Sequence, residues 1–149
     1  MAVSYNAVPI APAVAGGSLV VSLAAGDDEV RACQALRYRV FALEMGARLD
    51  SAHLGLDIDA FDEHCMHLLV RDSATGEAVA TTRLLLDRDA RRAGMFYSET
   101  EFHLEPILAL KARILEVGRT CIHPEYRNGA AIAVLWAGLA RVVAMHEID

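Results

Sequence analysis

The sequence predicts an α/β (α+β) fold in which helices flank a mixed β-sheet. Three observations support this prediction: short apolar runs typical of strands, longer segments with apolar residues at helical spacing, and their order along the chain, β-α-β-β-β-α. The 149 residues are enough for one domain with its own hydrophobic core. We assign residues 1–17 to a flexible leader and residues 18–149 to this domain.

The first half of the chain contains one strand, one helix and a loop. Residues 18–24 form a short apolar run and predict the first strand. Residues 28–45 carry apolar side chains at helical spacing and predict the first helix, which Gly46 ends. Residues 51–63 show no period and contain several aspartates, so we expect a loop there.

The second half contains three strands and the last helix. Residues 64–72 and 77–87 have the composition of strands and are joined by a Ser-Ala-Thr-Gly turn. Residues 113–123 predict a fourth strand, which Pro124 ends. Asn128 then opens a long helix whose apolar residues line one stripe.

Two further expectations concern residues 87–106 and the C-terminal part of the fold. Residues 87–106 are polar and irregular in pattern, and no helix or strand is predicted for them. The element order ends on a helix, after which a further strand usually completes such a sheet. We therefore expect the C-terminal part of the fold to be missing from this chain.

The composition excludes several classes of protein. A net charge of −6 argues against general nucleic-acid binding. No apolar run reaches the roughly 18–20 residues of a membrane span, and the first 18 residues lack the basic start of a secretory signal. The three cysteines lie far apart, as is typical of a reduced protein. A cytoplasmic location is therefore expected.

Positive charge is concentrated in the later half of the chain. Such a segment forms either a solvated face or a docking surface for an acidic partner, and both interpretations remain open. The basic residues concerned are Arg83, Arg88, Arg91, Arg92, Lys111, Arg113, Arg119 and Arg127.

Seven short strings, read in order, resemble the acyltransferases that make N-acyl-ornithine in ornithine-lipid synthesis. More distantly, they resemble acyl-homoserine-lactone synthases and long-chain N-acyl amino acid synthases, all of which have a GNAT-like fold. The resemblance covers about residues 30–147. The strings are LRYRVF at 36–41, DAFD at 59–62, HLLV at 67–70, TRLL at 82–85, FYSETEF at 96–102, EVGRTCIHP at 116–124 and YRNGAAI at 126–132.

One departure separates the branches of this group. Lactone synthases carry a tryptophan shortly after the first helix, whereas this chain has Gly46, Ala47 and Arg48 there. The departure favours the ornithine branch over the lactone synthases.

The resemblance implies an N-acyltransferase that moves a (3-hydroxy)fatty acyl group from acyl carrier protein to the α-amine of ornithine. This reaction is the first step of ornithine-lipid synthesis. It needs no resident cofactor, because the acyl-phosphopantetheine of the carrier is the donor. The expected partners are acyl carrier protein and ornithine, with no nucleic acid, and peripheral membrane contact stays open. The alternatives are a synthase of other N-acyl amino acids or of acyl-homoserine lactones, and a non-catalytic fragment that binds the acyl carrier.

Glu116, Arg119 and Arg83 are the predicted catalytic residues. Acyl transfer to an amine needs a base for the ammonium, and Glu116 lies in an apolar strand. The alternative is that Glu116 only pairs with Arg119 or Arg83. Residues three apart on a strand point to opposite faces, so Glu116 and Arg119 share a site only if a β-bulge intervenes. We predict this bulge near Gly118, where a distorted backbone would cost little.

Four further residues are predicted to bind the amino acid substrate. Arg37 and Phe41 lie four apart on one face of the first helix. Arg83 lies in an apolar strand and needs a carboxylate partner, for which Asp59 and Asp62 are candidates. These ion pairs either pin the loop over the sheet or contact the substrate directly. In the second case the aspartates bind the distal ammonium of ornithine and an arginine binds its carboxylate.

A third set of residues is predicted to bind the acyl-pantetheine arm. A helix start with free N–H groups binds anions such as the phosphate of this arm, and a bulge frees N–H groups for the thioester carbonyl. The residues in this set are Gly118, Arg127, Asn128, Gly129 and Ala131.

Two other groups of side chains complete the prediction. His64, Cys65 and His67 lack the spacing of zinc ligands, so no metal site is predicted. The aromatic segment at 96–102 either packs the core or lines an acyl pocket, and both remain open.

Overall fold

The computed structural model describes residues 17–149. The predicted leader therefore lies outside the described residues, apart from Gly17. The strands and α-helices are β1 (Leu19–Leu23), α1 (Asp27–Arg37), β2 (Met66–Asp72), β3 (Ala78–Leu86), α2 (Asp87–Ala93), α3 (Glu105–Leu108), β4 (Leu115–Ile122) and α4 (Ala130–Met145).

The sheet has the strand order β1-β2-β3-β4, and each strand pairs with its sequence neighbour. The four strands and their positions along the chain were predicted correctly, whereas their order in the sheet was not predicted. The predicted mixed sheet is not found in residues 17–149, where all three pairings are antiparallel. The reason is the path of the chain after α1. It returns to the end of the sheet at which β1 ends, so β2 runs antiparallel to β1. The backbone N–H of Ala24 accordingly donates to the carbonyl of His67 at 2.8 Å.

Two helices cover the two faces of the sheet. The face covered by α4 is apolar and holds the main core, in which Val21, Leu68 and Leu135 are almost fully buried. Helix α4 approaches the sheet closely because Gly138 has no side chain. A Cβ atom at Gly138 would lie 2.6 Å from Cγ2 of Val21. The opposite face is covered by α1, where Leu36 and Val40 pack with Cys121.

The first helix changes its geometry partway along. Helix α1 passes directly into a π-helix at Tyr38–Glu44, and Gly46 follows with a φ of +76°. The predicted extent of this helix is therefore correct, but its wider second half was not predicted. Such π segments are rare and frequently lie at functional sites.

The segment 87–106 contains structure that was not predicted. It begins with α2, continues through a 3₁₀ turn at Tyr97–Thr100 and reaches the short α3. Helix α2 has seven residues, too few to show a periodic apolar stripe. None of the helices within residues 17–149 is long and apolar enough to cross a membrane.

Candidate active site

A β-bulge in β4 shapes the candidate site. Thr81 pairs with Cys121 and Arg83 pairs with Gly118, so Arg119 and Thr120 together face the single residue Thr82. The bulge predicted near Gly118 is confirmed. The strained residue is Arg119 rather than the glycine, because Arg119 has a φ of +50°. A left-handed conformation costs roughly 1–2 kcal/mol in a residue with a side chain.

The bulge brings Glu116 and Arg119 to the same face of the sheet. Glu116 pairs with Leu85 and shares the α1 face with it. The hydroxyl of Thr120 lies 2.7 Å from that of Thr82, on the α4 face. Arg119 therefore turns back to the α1 face, where its guanidinium meets Asp57. Without the extra residue, Arg119 would point to the α4 face.

Arg37 is the centre of a buried ion-pair network, and its side chain is fully shielded from solvent. Its Nε donates to Oδ2 of Asp57 at 3.1 Å, and its Nη2 donates to both carboxylate oxygens of Asp62 at 2.9 and 2.8 Å. The same Nη2 also donates to the backbone carbonyl of Asp57. A buried guanidinium is stable only with partners of this quality.

Two further arginines complete the network. Nη1 of Arg83 donates to Oδ1 of Asp59 at 2.6 Å and to Oδ1 of Asp62 at 3.2 Å. Nε of Arg119 lies 3.3 Å from Oδ2 of Asp57, and its Nη2 lies 3.5 Å from Oδ2 of Asp59. The predicted pairing of Arg83 with Asp59 and Asp62 is confirmed, and the loop is pinned over the sheet.

His67 and Asp62 have shifted pKa values in this network. Burial lowers the pKa of His67, which is therefore neutral at pH 7. Its Nδ1 lies 3.4 Å from Nη1 of Arg37 and its Nε2 lies 3.3 Å from the carbonyl of Asp62, so these partners assign the proton to Nε2. Burial alone would raise the pKa of Asp62, but the hydrogen bonds and charge of Arg37 outweigh it and lower the pKa.

Glu116 binds backbone groups instead of an arginine. Its Oε1 accepts the N–H of Tyr97 at 3.1 Å and its Oε2 accepts the N–H of Ser98 at 2.8 Å. These bonds hold the start of the turn at Tyr97–Thr100. Within the described residues, Glu116 forms no ion pair with Arg83 or Arg119, so the alternative of a simple counter-ion is not observed.

Tyr97 and Phe61 border the arginines. The Cζ atom of Arg119 lies 4.9 Å from the centre of the Tyr97 ring, and that of Arg83 lies 5.6 Å from it. The two aromatic rings meet edge to face with their centres 5.6 Å apart. These distances are typical of cation–π contacts. The neighbouring Phe96 is a core residue instead.

Phe41 lies in a small apolar cluster beside the network. It packs against Leu36, Val40 and Cys121, on the α1 face of the sheet. The structure therefore places Phe41 on the same face as Arg37, as predicted from their spacing.

Of the predicted pantetheine residues, Gly118 lies in β4 and the other four lie at the start of α4 or just before it. This helix begins at Ala130, two residues later than predicted, after Gly129 with a φ of +97°. The side-chain oxygen of Asn128 accepts the N–H of Ala130 at 3.1 Å. The two terminal nitrogens of Arg127 pair with the carboxylate of Glu44 at 2.6 and 2.7 Å. The Arg127 guanidinium is therefore engaged with the π-helix.

The basic segment is largely neutralised by its own acids. On α2, Arg91 pairs with Asp87 while Arg88 and Arg92 pair with Asp89. The other arginines of the segment also have carboxylate partners. In the described part of the chain, Lys111 is the member of this set without such a pair. The segment is therefore not a continuous cationic patch: Arg83 and Arg119 belong to the buried network, and the exposed arginines are paired with neighbouring acids.

Sequence reasoning missed several residues of the site. Asp57, His67 and Tyr97 were not assigned roles, although Asp57 holds two arginines. The signal for Asp57 was Arg37, which lies on the apolar face of α1 and needs a carboxylate partner when buried. Asp59 and Asp62 were already assigned to Arg83, so a third aspartate was required.

A wide cleft opens beside the network. Its volume is about 1040 Å³, and it lies between the start of α1, the loop before β2 and α2. Asp59, Asp62 and His67 form part of its wall, and further acids at Asp27 and Glu63 border it. The buried network is thus reachable from an acidic cleft.

Comparison with curated proteins gives relatives of one kind. The chain is 40% identical over 139 residues to an L-ornithine N(alpha)-acyltransferase of Rhodobacter capsulatus, covering 89% of this chain and 54% of the relative. It is 39% identical to the protein of the same name in Brucella abortus, with 89% and 50% covered. The chain spans about half the length of the curated relatives that it matches.

Solved structures show a similar fold. An N-acyl amino acid synthase, FeeM from uncultured soil microbes, matches with a TM-score of 0.67 at 14% identity, covering 89% of this chain and 68% of that one. The AHL synthase LasI matches with a TM-score of 0.60 at 17% identity, with 90% and 70% covered. The family model of the acetyltransferase (GNAT) domain matches residues 36–137. The chain therefore belongs to the acetyltransferase (GNAT) domain family.

Proposed function

We propose that the protein transfers a (3-hydroxy)fatty acyl group from the thioester of acyl carrier protein to the α-amine of ornithine, the first step of ornithine-lipid synthesis. The names of the curated relatives support the acceptor and the transfer. The observation that carries the proposal is the bulge that brings Glu116 and the arginine–aspartate network to one face of the sheet.

Glu116 is the proposed general base. The α-amine is protonated at neutral pH and attacks only after it loses a proton. A carboxylate has about four lone-pair sites, and the N–H groups of Tyr97 and Ser98 occupy two of them. The remaining sites accept the ammonium proton. The amine nitrogen then forms the amide bond with the acyl carbon, and the carrier sulfur leaves and is protonated to the thiol.

The charge of the site matches the charge of the acceptor. The three arginines and the three aspartates of the network cancel, His67 is neutral, and Glu116 adds one negative charge. Ornithine carries two ammonium groups and one carboxylate, so its net charge is positive. A site with one surplus negative charge attracts such a cation more strongly than a neutral amino acid.

Asp59 and Arg119 are the proposed contacts for the rest of ornithine. Oδ2 of Asp59 is buried and has no hydrogen-bond partner within the described residues, although Arg119 lies 3.5 Å away. This oxygen is available to a substrate ammonium. Arg119 is a quarter exposed and can receive the substrate carboxylate. Arg83 is almost completely buried, so we assign it to holding Asp59 in place.

The bulge and the start of α4 are the proposed binding elements for the donor. Backbone N–H groups freed by the bulge after Gly118 polarise the thioester carbonyl. The start of α4 at Asn128, Gly129 and Ala131 receives the phosphate of the pantetheine arm. Arg127 joins this site only after it releases Glu44.

A cytoplasmic location and contact with a membrane surface belong to the same proposal, since the donor is cytoplasmic and the product is a lipid.

The decisive experiment uses the full-length protein with mixed amino acids and acyl carrier proteins. Mass spectrometry should find N-acyl-ornithine, and free carrier thiol should appear only when ornithine is present. Acylation of another amine would replace ornithine as the acceptor. Binding of the carrier without release of thiol would identify a non-catalytic protein.

A further inference from the structure

Glu116 and Arg83 are neighbours on the sheet and yet do not pair. Arg83 lies opposite Gly118 and Leu85 lies opposite Glu116, so Arg83 and Glu116 are diagonal neighbours on one face of two antiparallel strands. Long side chains in diagonal positions are within reach of each other. An ion pair would be the expected outcome here, but Arg83 binds Asp59 and Asp62 instead.

Tyr97 contacts all three of the predicted catalytic side chains. Its backbone N–H binds the carboxylate of Glu116 at 3.1 Å. Its ring lies 4.9 Å from the guanidinium carbon of Arg119 and 5.6 Å from that of Arg83. Tyr97 therefore contacts the carboxylate of Glu116 and both guanidinium groups, while the carboxylate pairs with neither guanidinium group.

We propose that Tyr97 is a positioning residue of the transfer reaction. Its backbone holds the Glu116 carboxylate, and its ring keeps the guanidinium groups of Arg83 and Arg119 away from that carboxylate. This inference rests on the proposed function, in which the carboxylate must remain open to the acceptor amine. A carboxylate in a bidentate pair with an arginine has its oxygens occupied, and the amine would have to compete with the guanidinium.

The ring of Tyr97 carries most of this role, because it lies against both guanidinium groups. The hydroxyl donates to Oε1 of Glu101 at 3.1 Å, on the solvent-exposed side of the turn. The network faces the ring, and Tyr97 also forms a side-chain hydrogen bond with Arg119. Tyr97→Phe keeps the ring and should therefore lose much less kcat than Tyr97→Leu.

The kinetic test uses the full-length protein with acyl carrier thioester and ornithine. Tyr97→Leu should lower kcat about 10–100-fold, the range expected when a catalytic group is misplaced by about 1 Å. The KM for the thioester donor should not change. Tyr126→Leu is the matched control, because that half-buried tyrosine also packs edge-on at 5.6 Å, against His123, and also donates to a carboxylate, that of Asp72. It should keep the wild-type kcat at saturating donor.

The structural test does not depend on activity. In a crystal structure of full-length Tyr97→Leu, the Glu116 carboxylate should move to within about 4 Å of the guanidinium of Arg83 or Arg119. A carboxylate that stays on the N–H groups of residues 97 and 98 overturns the proposal. Equal losses of kcat in the Phe and Leu variants also overturn it. If the wild-type protein does not acylate ornithine, the proposed function fails, and the crystal structure still decides the role of Tyr97.

Discussion

The two faces of the sheet differ in chemistry. The face under α4 is apolar, with Val21 and Leu68 packed close to the helix backbone at Gly138. The face under α1 carries Arg83 and His67, both nearly inaccessible to solvent. Burial of apolar surface stabilises the first face directly, at roughly 25 cal/mol per Å². The second face gains little from its charges, because their desolvation cancels much of their attraction.

The α4 face mainly stabilises the fold, whereas the α1 face carries the candidate site. The apolar face holds the main hydrophobic core. The charged face holds three arginines and three aspartates in one geometry. Glu116 lies at its border, and the buried Oδ2 of Asp59 has no hydrogen-bond partner within the described residues. Under the proposed function, this arrangement positions charges for an acceptor amine. Variants should therefore affect the two faces in different ways.

The largest expected effect on stability is that of Arg37→Met. The change removes the fully buried guanidinium and leaves Asp57 and Asp62 without their main partner. We expect the free energy of unfolding to fall by about 3–5 kcal/mol, as is usual when one partner of a buried ion pair is removed. Urea denaturation of the full-length protein measures this.

The control for Arg37→Met is a second variant that also carries Asp62→Asn. Neutralising Asp62 removes one of the uncompensated charges, so the double variant should be less destabilised than the sum of the two single changes. Strict additivity would mean that the two side chains are not coupled through the network.

A smaller effect is the loss of stability at acidic pH, which should arise on the charged face. The folded-state pKa values of His67 and Asp62 are both lowered, so the unfolded chain binds more protons at low pH. Stability should fall as the pH drops below about 6.5 for His67, and again below about 4 for Asp62. His67→Gln should reduce the first decline, and the remaining part belongs to His146, whose pKa burial also lowers.

The apolar face provides the control for this pH dependence. Val21→Ala should destabilise the protein by the same amount at pH 7.5 and at pH 5.5, because that side chain belongs to the apolar cluster of the α4 core. A Val21→Ala effect that changes with pH would mean that the two faces do not act separately.

The smallest effect should come from the arginines of α2. Reversing Arg88, Arg91 and Arg92 to glutamate should raise the KM for the acyl carrier about two- to tenfold, most strongly at low salt, as expected for exposed charges. The effect is limited because Asp87 and Asp89 already neutralise these side chains. Turnover of a short acyl-pantetheine thioester should stay unchanged. Equal losses with both donors would show that the arginines hold the fold.

The sequence allowed the apolar framework and part of the charged face to be predicted. Strand positions followed from apolar runs, and the bulge followed from the requirement that Glu116 and Arg119 share a face. A buried arginine demands a carboxylate, which is why the partners of Arg83 were predicted correctly. These features follow from the local sequence pattern and from charge balance.

Other features depend on long-range geometry that a sequence pattern does not contain. The bonds from Glu116 to the turn at Tyr97 join positions 18 and 19 residues apart. The pairing of Arg127 with Glu44 spans 83 residues and required knowledge of where the π-helix ends. The direction of β2 depended on the path of the loop after α1. No local sequence pattern indicates these contacts or the direction of β2.

The most direct test of the account is the kcat of the full-length Glu116→Gln variant. Glutamine keeps the shape of the side chain and one acceptor oxygen but cannot take the ammonium proton. We expect kcat with ornithine to fall by about 10²–10⁴-fold at pH 7, and the KM for ornithine to rise because the surplus negative charge of the site is lost. The loss should shrink as the pH rises, because more of the amine is then already deprotonated. Near-normal turnover at pH 7 would contradict the account and make Glu116 a structural anchor of the Tyr97 turn.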